Sequence, residues 1–135
     1  MFTHETKLRV RYGETDTMGY VYYGNYASYY EVARTEMIRE LGMTYAGMEE
    51  QGFALPVIHL ESQFFKPAVY DDLLTIKTYL KEMPAARITF DYEVYNEKGQ
   101  MLNKGNTTLV FTSIKNGKPT RPPEDLIEAL RPFFD

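Results

Sequence analysis

The chain opens with alternating polar and apolar residues and then changes to a helical spacing. Apolar side chains alternate with Lys7, Arg9 and Arg11, which predicts a half-buried strand over residues 6–12. From residue 25 onwards the apolar side chains recur at spacings of three and four, and this period predicts a long helix over about 24–41 that ends at a glycine. Because many of these side chains are tyrosines, we expect a sheet to wrap around the helix.

After Gly52 the pattern is that of strands. A short helical segment over about 44–51 precedes them, and Pro122 opens a short C-terminal helix that ends near Arg131. The predicted strands occupy about 54–65, 72–82, 86–96 and 100–114.

This order of elements predicts an α+β protein with a single domain over residues 1–135. We expect a five-stranded, antiparallel, curved sheet wrapped around one long helix, plus the short C-terminal helix. Such a sheet leaves open edges, and pairing two copies of the chain edge to edge would cover them. The pattern therefore favours a homo-oligomer.

Composition removes several classes of function. The net charge is −4, which argues against a nucleic-acid partner. The absence of cysteine excludes disulfides, cysteine-ligated zinc and a cysteine nucleophile, and two histidines are too few for a histidine-rich metal site. Neither a metal nor a cofactor is predicted, and no G-x-S-x-G or phosphate-binding glycine motif occurs. Without a signal peptide or an apolar run of membrane-spanning length, we expect a cytoplasmic protein.

The loop between the first strand and the long helix holds the most promising chemistry. Asp16 lies in this polar segment, 13–19, a short distance before the helix start. A helix N-terminus offers unpaired N–H groups that can polarise a carbonyl, and a nearby carboxylate can act as base or nucleophile. These are the ingredients of acyl transfer. The alternative is structural, because an aspartate before a helix often forms a cap or an Asx-turn.

Three motifs together resemble the signature of the 4-hydroxybenzoyl-CoA thioesterase family of hotdog proteins. They are D-x-x-G beginning at Asp16, V-Y-Y-G-N-Y over 21–26 and E-x-A-R-T-E over 31–36. The chain is particularly similar to the family's bacterial acyl-CoA thioesterases, and the resemblance covers nearly its whole length. It implies a hotdog fold and hydrolysis of an acyl-CoA to the free acid and CoA.

The resemblance also implies roles for single residues. Asp16 matches the catalytic carboxylate, which either attacks the thioester carbonyl or activates water. The backbone N–H of Tyr23 would bind the thioester oxygen, with Gly24 beside it. Active sites in this family lie between subunits, which implies a homodimer or homotetramer. The sequence departs from many relatives at Tyr23-Gly24, where some have a histidine-containing pair, and at 70–72, where the usual glycine is missing.

Four further residues are candidates near the substrate. Gly19 would let the loop turn tightly or approach a ligand. Asn25 is expected to cap the helix rather than to touch the substrate. Glu31 is either a helical catalytic carboxylate or, more in keeping with its position, the partner of Arg34 in an ion pair. His59 could border the thioester, although a hydrogen-bonded structural role is the simpler interpretation.

The phosphates of CoA need cations, and Lys66 and Arg87 are the candidates, each with a solvated surface charge as the alternative. Two other functions stay open. The chain could hydrolyse acyl groups from a carrier protein, or it could bind an acyl group or CoA without catalysis.

Overall fold

The computed structural model describes residues 1–134. The strands are β1 (Phe2–Arg9), β2 (Phe53–Ala54), β3 (Val57–Phe64), β4 (Leu73–Leu80), β5 (Arg87–Tyr95), β6 (Met101–Val110) and β7 (Thr112–Ser113). The helices are α1 (Asn25–Glu40), α2 (Tyr45–Glu50) and α3 (Glu124–Leu130), and short 3₁₀ turns occupy Tyr12–Glu14 and Arg131–Phe133.

Five strands form one antiparallel sheet in the order β1-β4-β5-β6-β3, and α1 packs against it. Tyr26, Tyr30, Ala33 and Met37 are buried on the face of α1 that the helical period predicted. The short strands β2 and β7 form a second, two-stranded sheet. The predicted α+β class, with one long helix and a short C-terminal helix, is confirmed.

The predicted strand ends differ from the observed ones for identifiable reasons. The first strand runs over 2–9 rather than 6–12, because Phe2 already pairs with Leu80 and the chain turns into a 3₁₀ segment at Tyr12. The predicted strand 54–65 is divided into β2 and β3 around Pro56, whose nitrogen cannot donate to a ladder. The predicted strand 100–114 is likewise divided into β6 and β7.

The core combines aliphatic residues of the sheet with a layer of tyrosines. The ring of Tyr30 on α1 stacks on that of Tyr92 on β5, with centroids 4.3 Å apart. The Tyr30 hydroxyl bonds to Asn103 and to Ser62, which carries the contact from the helix to β3. Gly105 faces this hydroxyl so closely that any Cβ would collide with it, which accounts for a glycine inside a strand.

The strand β3 lies at the edge of the sheet and is largely exposed. Val57, Ile58, Leu60 and Phe64 all present apolar surface there. An open edge with apolar side chains is a surface that proteins normally cover. None of the helices within residues 1–134 is long and apolar enough to cross a membrane.

Candidate active site

The loop that carries Asp16 is a tight turn between two short paired segments. Thr15 and Val21 form an isolated antiparallel bridge. Within it, the Asp16 N–H donates to the Tyr20 carbonyl at 2.7 Å and the Gly19 N–H donates to the Asp16 carbonyl at 2.9 Å. Gly19 has φ of +80°, which favours glycine at this position.

The Asp16 carboxylate is held by its own loop. Its Oδ1 accepts the backbone N–H of Met18 at 2.9 Å and that of Tyr20 at 3.2 Å, which is the Asx-turn arrangement. Its Oδ2 makes no hydrogen bond within residues 1–134, and the residue is half-buried. The turn therefore fixes the direction of the carboxylate and leaves one oxygen available.

The start of α1 offers backbone donors. The N–H groups of Asn25 and Tyr26 donate to the carbonyls of Tyr22 and Tyr23, at 2.9 Å and 3.2 Å. By contrast, the N–H groups of Tyr23 and Gly24 have no acceptor in the part of the chain that the structure describes. Two adjacent free donors therefore lie at the positive end of the helix, where an anionic oxygen is favoured.

Glu14 ties the loop to the helix. Its carbonyl accepts the Tyr22 N–H at 2.9 Å and the Asn25 side-chain amide at 2.8 Å. Its carboxylate accepts the Arg11 N–H at 2.9 Å, the Arg11 guanidinium at 3.1 and 3.2 Å, and the Tyr29 hydroxyl at 3.0 Å. One residue thus joins the segment after β1, the Asp16 loop and the first turns of α1.

The hydrogen bonds around Glu14 change its acidity and that of Tyr29. Partial burial would raise the pKa of Glu14, but the bonds from Arg11 and Tyr29 outweigh it and lower that pKa below its usual value. Burial and the bond to Glu14 both raise the pKa of Tyr29. Neither residue was predicted from the sequence to belong to the site; the three-residue spacing of Arg11 and Glu14 was the only available signal.

A lowered pKa makes Glu14 a source of pH-dependent stability. A carboxylate whose folded pKa lies below its unfolded value stabilises the fold above the unfolded pKa of about 4.3 and loses that contribution as the pH falls through the folded pKa. We therefore expect Glu14→Gln to lower the free energy of unfolding at pH 7 and to reduce its decline between about pH 5 and pH 3. Urea unfolding across this range measures both. An unchanged pH profile in the variant would contradict the role of the charge.

Asn25 and Glu31 do not make the expected contacts. Gly24, not Asn25, is the N-cap residue; Asn25 is the first helical residue and its side chain reaches back to the Glu14 carbonyl. The capping prediction for Asn25 is therefore wrong. Glu31 is exposed on α1 and forms no ion pair with Arg34 within residues 1–134.

His59 lies on β3, on the face turned away from α1. Its Nε2 is 3.0 Å from Oε1 of Glu61, two residues along the strand. Ser62, three residues further along the strand, points to the opposite face of the sheet and contacts Tyr30 of α1. Within one chain, His59 thus has the hydrogen-bonded surface role and does not face the helix.

Lys66 and Arg87 lie at opposite ends of the sheet. The Lys66 N–H donates to the Leu102 carbonyl near the start of β6, whereas Arg87 pairs with Val110 at its end. Eight strand residues separate these positions, a distance of about 27 Å. Lys66 lies at the end near the Asp16 loop, because the Val21 N–H bonds to the Ala68 carbonyl. The two cations of one chain are therefore not brought to one phosphate group.

Exposed tyrosines surround the Asp16 loop. The rings of Tyr12 and Tyr70 meet edge to face at 5.7 Å, and those of Tyr22 and Tyr23 lie 4.7 Å apart. All of these are exposed, as is Tyr20. Tyr26, by contrast, is buried, so it is a core residue. The loop is consequently flanked by aromatic surface that could contact an apolar group.

Metal ligands are not grouped in this region. Within residues 1–134, no cluster of three or more His, Asp or Glu side chains is arranged to hold a metal ion. The chemistry available at the loop is that of a carboxylate and backbone amides.

The chain is similar over most of its length to known thioesterases. A family profile described as "Thioesterase-like superfamily" matches residues 10–130. A DHNA-CoA thioesterase from Staphylococcus aureus superposes with a TM-score of 0.93 at 37% identity, over 98% of this chain and 91% of that one. The acyl-CoA thioesterase YbgC of Haemophilus influenzae is 32% identical over 91% of this chain and 90% of that protein. An acyl-acyl carrier protein thioesterase, ATL3 of Arabidopsis thaliana, is 31% identical over 72% of this chain and 51% of its own length.

Proposed function

The chain belongs to the thioesterase-like superfamily and is a hotdog thioester hydrolase, and we propose that it hydrolyses acyl-CoA thioesters with Asp16 as the catalytic carboxylate. One observation carries this proposal. A carboxylate oxygen, Oδ2 of Asp16, is left without a hydrogen bond within residues 1–134, and Glu14 ties the turn that holds it to a helix start with two free N–H groups.

In the proposed reaction the thioester oxygen accepts the N–H groups of Tyr23 and Gly24. Negative charge develops on this oxygen as the carbonyl carbon becomes tetrahedral, and fixed donors at the positive end of α1 stabilise it. Asp16 either attacks the carbonyl carbon itself or removes a proton from an attacking water. If Asp16 attacks, the C–S bond breaks, the CoA thiolate takes a proton from solvent, and a water then hydrolyses the mixed anhydride to release the acid and restore the Asp16 carboxylate. If Asp16 activates a water instead, the C–S bond breaks as the acid forms, and the proton that Asp16 took from the water passes to the leaving thiolate.

The tyrosines beside the loop favour an aromatic acyl group. Flat rings pack well on edge-to-face aromatic surface such as the Tyr12–Tyr70 pair. The Staphylococcus aureus relative is a thioesterase for DHNA-CoA, itself an aromatic thioester. We therefore propose that aromatic acyl-CoAs are better substrates than straight-chain ones.

Thiol release from a panel of thioesters tests the proposed function. The panel contains 1,4-dihydroxy-2-naphthoyl-CoA, 4-hydroxybenzoyl-CoA, hexanoyl-CoA, palmitoyl-CoA and one acyl carrier protein loaded with an acyl chain. We expect turnover of acyl-CoA with the highest kcat/KM for an aromatic member. Turnover of the carrier-protein substrate alone would replace the CoA proposal with the second candidate, which the Arabidopsis relative favours. If none of the thioesters is hydrolysed, the remaining alternative is a protein that binds an acyl group or CoA without catalysis.

We propose that two copies of the chain pair along β3. The strand has an open edge, and Val57, Ile58, Leu60 and Phe64 would be covered by a partner of the same kind. An interface there would also place His59 and Glu61 near the second chain. A homodimer is the smallest assembly that closes this edge.

A charged residue on β3 should separate the copies. We expect the native chain to elute with twice the mass of 15.7 kDa in light scattering, and Leu60→Lys to shift it towards the monomer mass. Thr89→Lys is the matched control, because Thr89 is exposed on the central strand β5. A native monomer, or a dimer that survives Leu60→Lys, would contradict the β3 interface.

Arg87 is the proposed contact for the phosphates of a CoA bound at the Asp16 loop of the second copy, because a two-fold pairing along β3 would bring the Arg87 end of one sheet beside the Asp16 end of the other. It lines a groove of about 600 Å³ with Glu82 and with Lys81, whose Nζ lies 3.8 Å from Oδ2 of Asp91, so that Arg87 is the cation of this groove that forms no ion pair within residues 1–134. We expect Arg87→Ala to raise KM for CoA substrates about tenfold, the loss of one charge-assisted bond, and to leave pantetheine thioesters, which lack the nucleotide, unchanged. Lys66→Ala, at the other end of the sheet, is compared in the same assay. Equal effects of Arg87→Ala on both substrates would remove Arg87 from the phosphate site.

A further inference from the structure

A second cavity lies away from the Asp16 loop, beside the middle of α1. It has a volume of about 310 Å³ and opens between α1, α2 and the segment after α2. Arg34 lies ten residues beyond Gly24, which corresponds to about 15 Å along the helix axis. The cavity is therefore separate from the catalytic loop of the same chain. We refer to it as the Arg34 cavity.

Arg34 is a buried cation that forms no close ion pair. The residue is only 7% exposed, and its guanidinium forms no ion pair within residues 1–134. The phenols of Tyr45 and Tyr92 lie beside the guanidinium and carry no negative charge, and the carboxylates that line the cavity do not come within ion-pair distance of it. A charge removed from water without an ionic partner is costly. The cavity that Arg34 lines is where such a partner could bind.

Tyr45 adds a second donor to the same cavity. Its hydroxyl is buried beside the Arg34 guanidinium and donates to no acceptor within residues 1–134. Burial raises the pKa of Tyr45 and the nearby Arg34 charge opposes this rise, so the phenol is neutral and available as a donor. Tyr92, the other phenol beside Arg34, already bonds to Thr107. Two donors, the Arg34 guanidinium and the Tyr45 hydroxyl, therefore face one space.

The other residues that line the cavity indicate what kind of ligand would fit it. Phe53, Leu55 and Leu109 are apolar and line the cavity together with these donors. The carboxylates of Glu31 and Glu49 also line it, but both residues are exposed to solvent. They would repel a second negative charge on a ligand, whereas the buried guanidinium favours the first.

From this arrangement we infer that the Arg34 cavity binds a small monocarboxylate with an apolar body. The carboxylate accepts the guanidinium fork of Arg34 and the Tyr45 hydroxyl, and the apolar body packs on Phe53, Leu55 and Leu109. A thioesterase releases an acid of this class, so the site suits the product. That last identification rests on the proposed function, whereas the binding site itself does not.

Titration with benzoate and hexanoate tests the inference. Calorimetry is carried out on the Asp16→Asn chain as well as the native one, so that binding is measured whether or not the chain hydrolyses thioesters. We expect saturable binding of both acids, and binding of the neutral analogue benzamide at least about tenfold weaker. We expect Arg34→Met to weaken benzoate binding by about tenfold or more and Tyr45→Phe by a few-fold.

A control on the same helix and a folding check complete the test. Arg39 is exposed on α1 and pairs with Glu36, so Arg39→Met should leave benzoate binding unchanged. Thermal unfolding establishes that each variant is folded. If Arg34→Met does not fold, the Tyr45→Phe affinity and the shift of the Arg34 Nε–H resonance on adding benzoate decide instead. Absence of saturable binding, or equal binding by folded Arg34→Met, overturns the inference. Benzoate binding without any thioester turnover would overturn only the proposed function.

Discussion

Asp16→Asn is expected to lower kcat for the best acyl-CoA substrate by about 10²-fold or more, because it replaces the free carboxylate oxygen with an amide nitrogen. The substitution is nearly isosteric. The amide oxygen of the new side chain can still accept the N–H groups of Met18 and Tyr20, which Oδ1 of Asp16 accepts in the native loop. The loss should therefore appear in turnover and not in the fold.

Comparing the activity of Asp16→Asn with its stability separates a chemical role of Asp16 from a structural one. We expect the midpoint of urea unfolding to change little in Asp16→Asn, while thiol release falls to a small fraction of the native rate. Asp16→Ala removes both oxygens and should lose the loop bonds as well, so it should reduce activity and also destabilise the loop. Turnover within a few-fold of native in Asp16→Asn would leave Asp16 with its Asx-turn role alone.

Gly24→Pro is expected to reduce kcat by about 10²- to 10³-fold, because it removes one of the two proposed donors to the thioester oxygen. Gly24 has φ of −64° and ψ of −19°, which a proline ring can adopt. Proline disfavours a helical conformation of the residue before it, here Tyr23 in the turn that the Asn25 N–H closes on the Tyr22 carbonyl, so thermal unfolding of Gly24→Pro is measured beside its activity. The native Gly24 N–H has no acceptor within residues 1–134, so its removal costs the resting structure no hydrogen bond.

Gly24→Ala is the matched control for this substitution. It adds the same Cβ, which would lie 2.8 Å from the Tyr22 ring and requires that side chain to shift, but it keeps the N–H group. We expect Gly24→Ala to retain most of the activity that Gly24→Pro loses. Equal losses in both variants would indicate that the added bulk, and not the missing donor, is responsible.

The long helix and the succession of strands along the chain could be predicted because they depend on local periodicity. The spacing of Tyr26, Tyr30, Ala33 and Met37 places all four on the face that is buried, and Gly42 has φ of +83° just after the helix. The ends of β1 depend instead on its pairing with β4, which no local pattern records. Strand existence was therefore more predictable than strand length.

Part of the candidate site could likewise be predicted from the sequence, and part could not. The loop position of Asp16 follows from the change of period and from the resemblance of its motif. The tie through Glu14 joins the loop to Tyr29, fifteen residues further along the chain, and depends on how the helix lies against the loop. The separation of Lys66 from Arg87 follows from the register of β6, which the sequence alone does not give.

The central claim is that Asp16 and the N–H groups at the start of α1 act on the same thioester. A crystal structure of Asp16→Asn with a bound aromatic acyl-CoA tests this most directly. We expect the thioester oxygen about 2.7–3.1 Å from the N–H groups of Tyr23 and Gly24, and the carbonyl carbon within about 3–3.5 Å of the side-chain amide at position 16 or of a water that it holds. A thioester bound with its oxygen away from these amides, or its carbon beyond a water's reach of position 16, would contradict the mechanism.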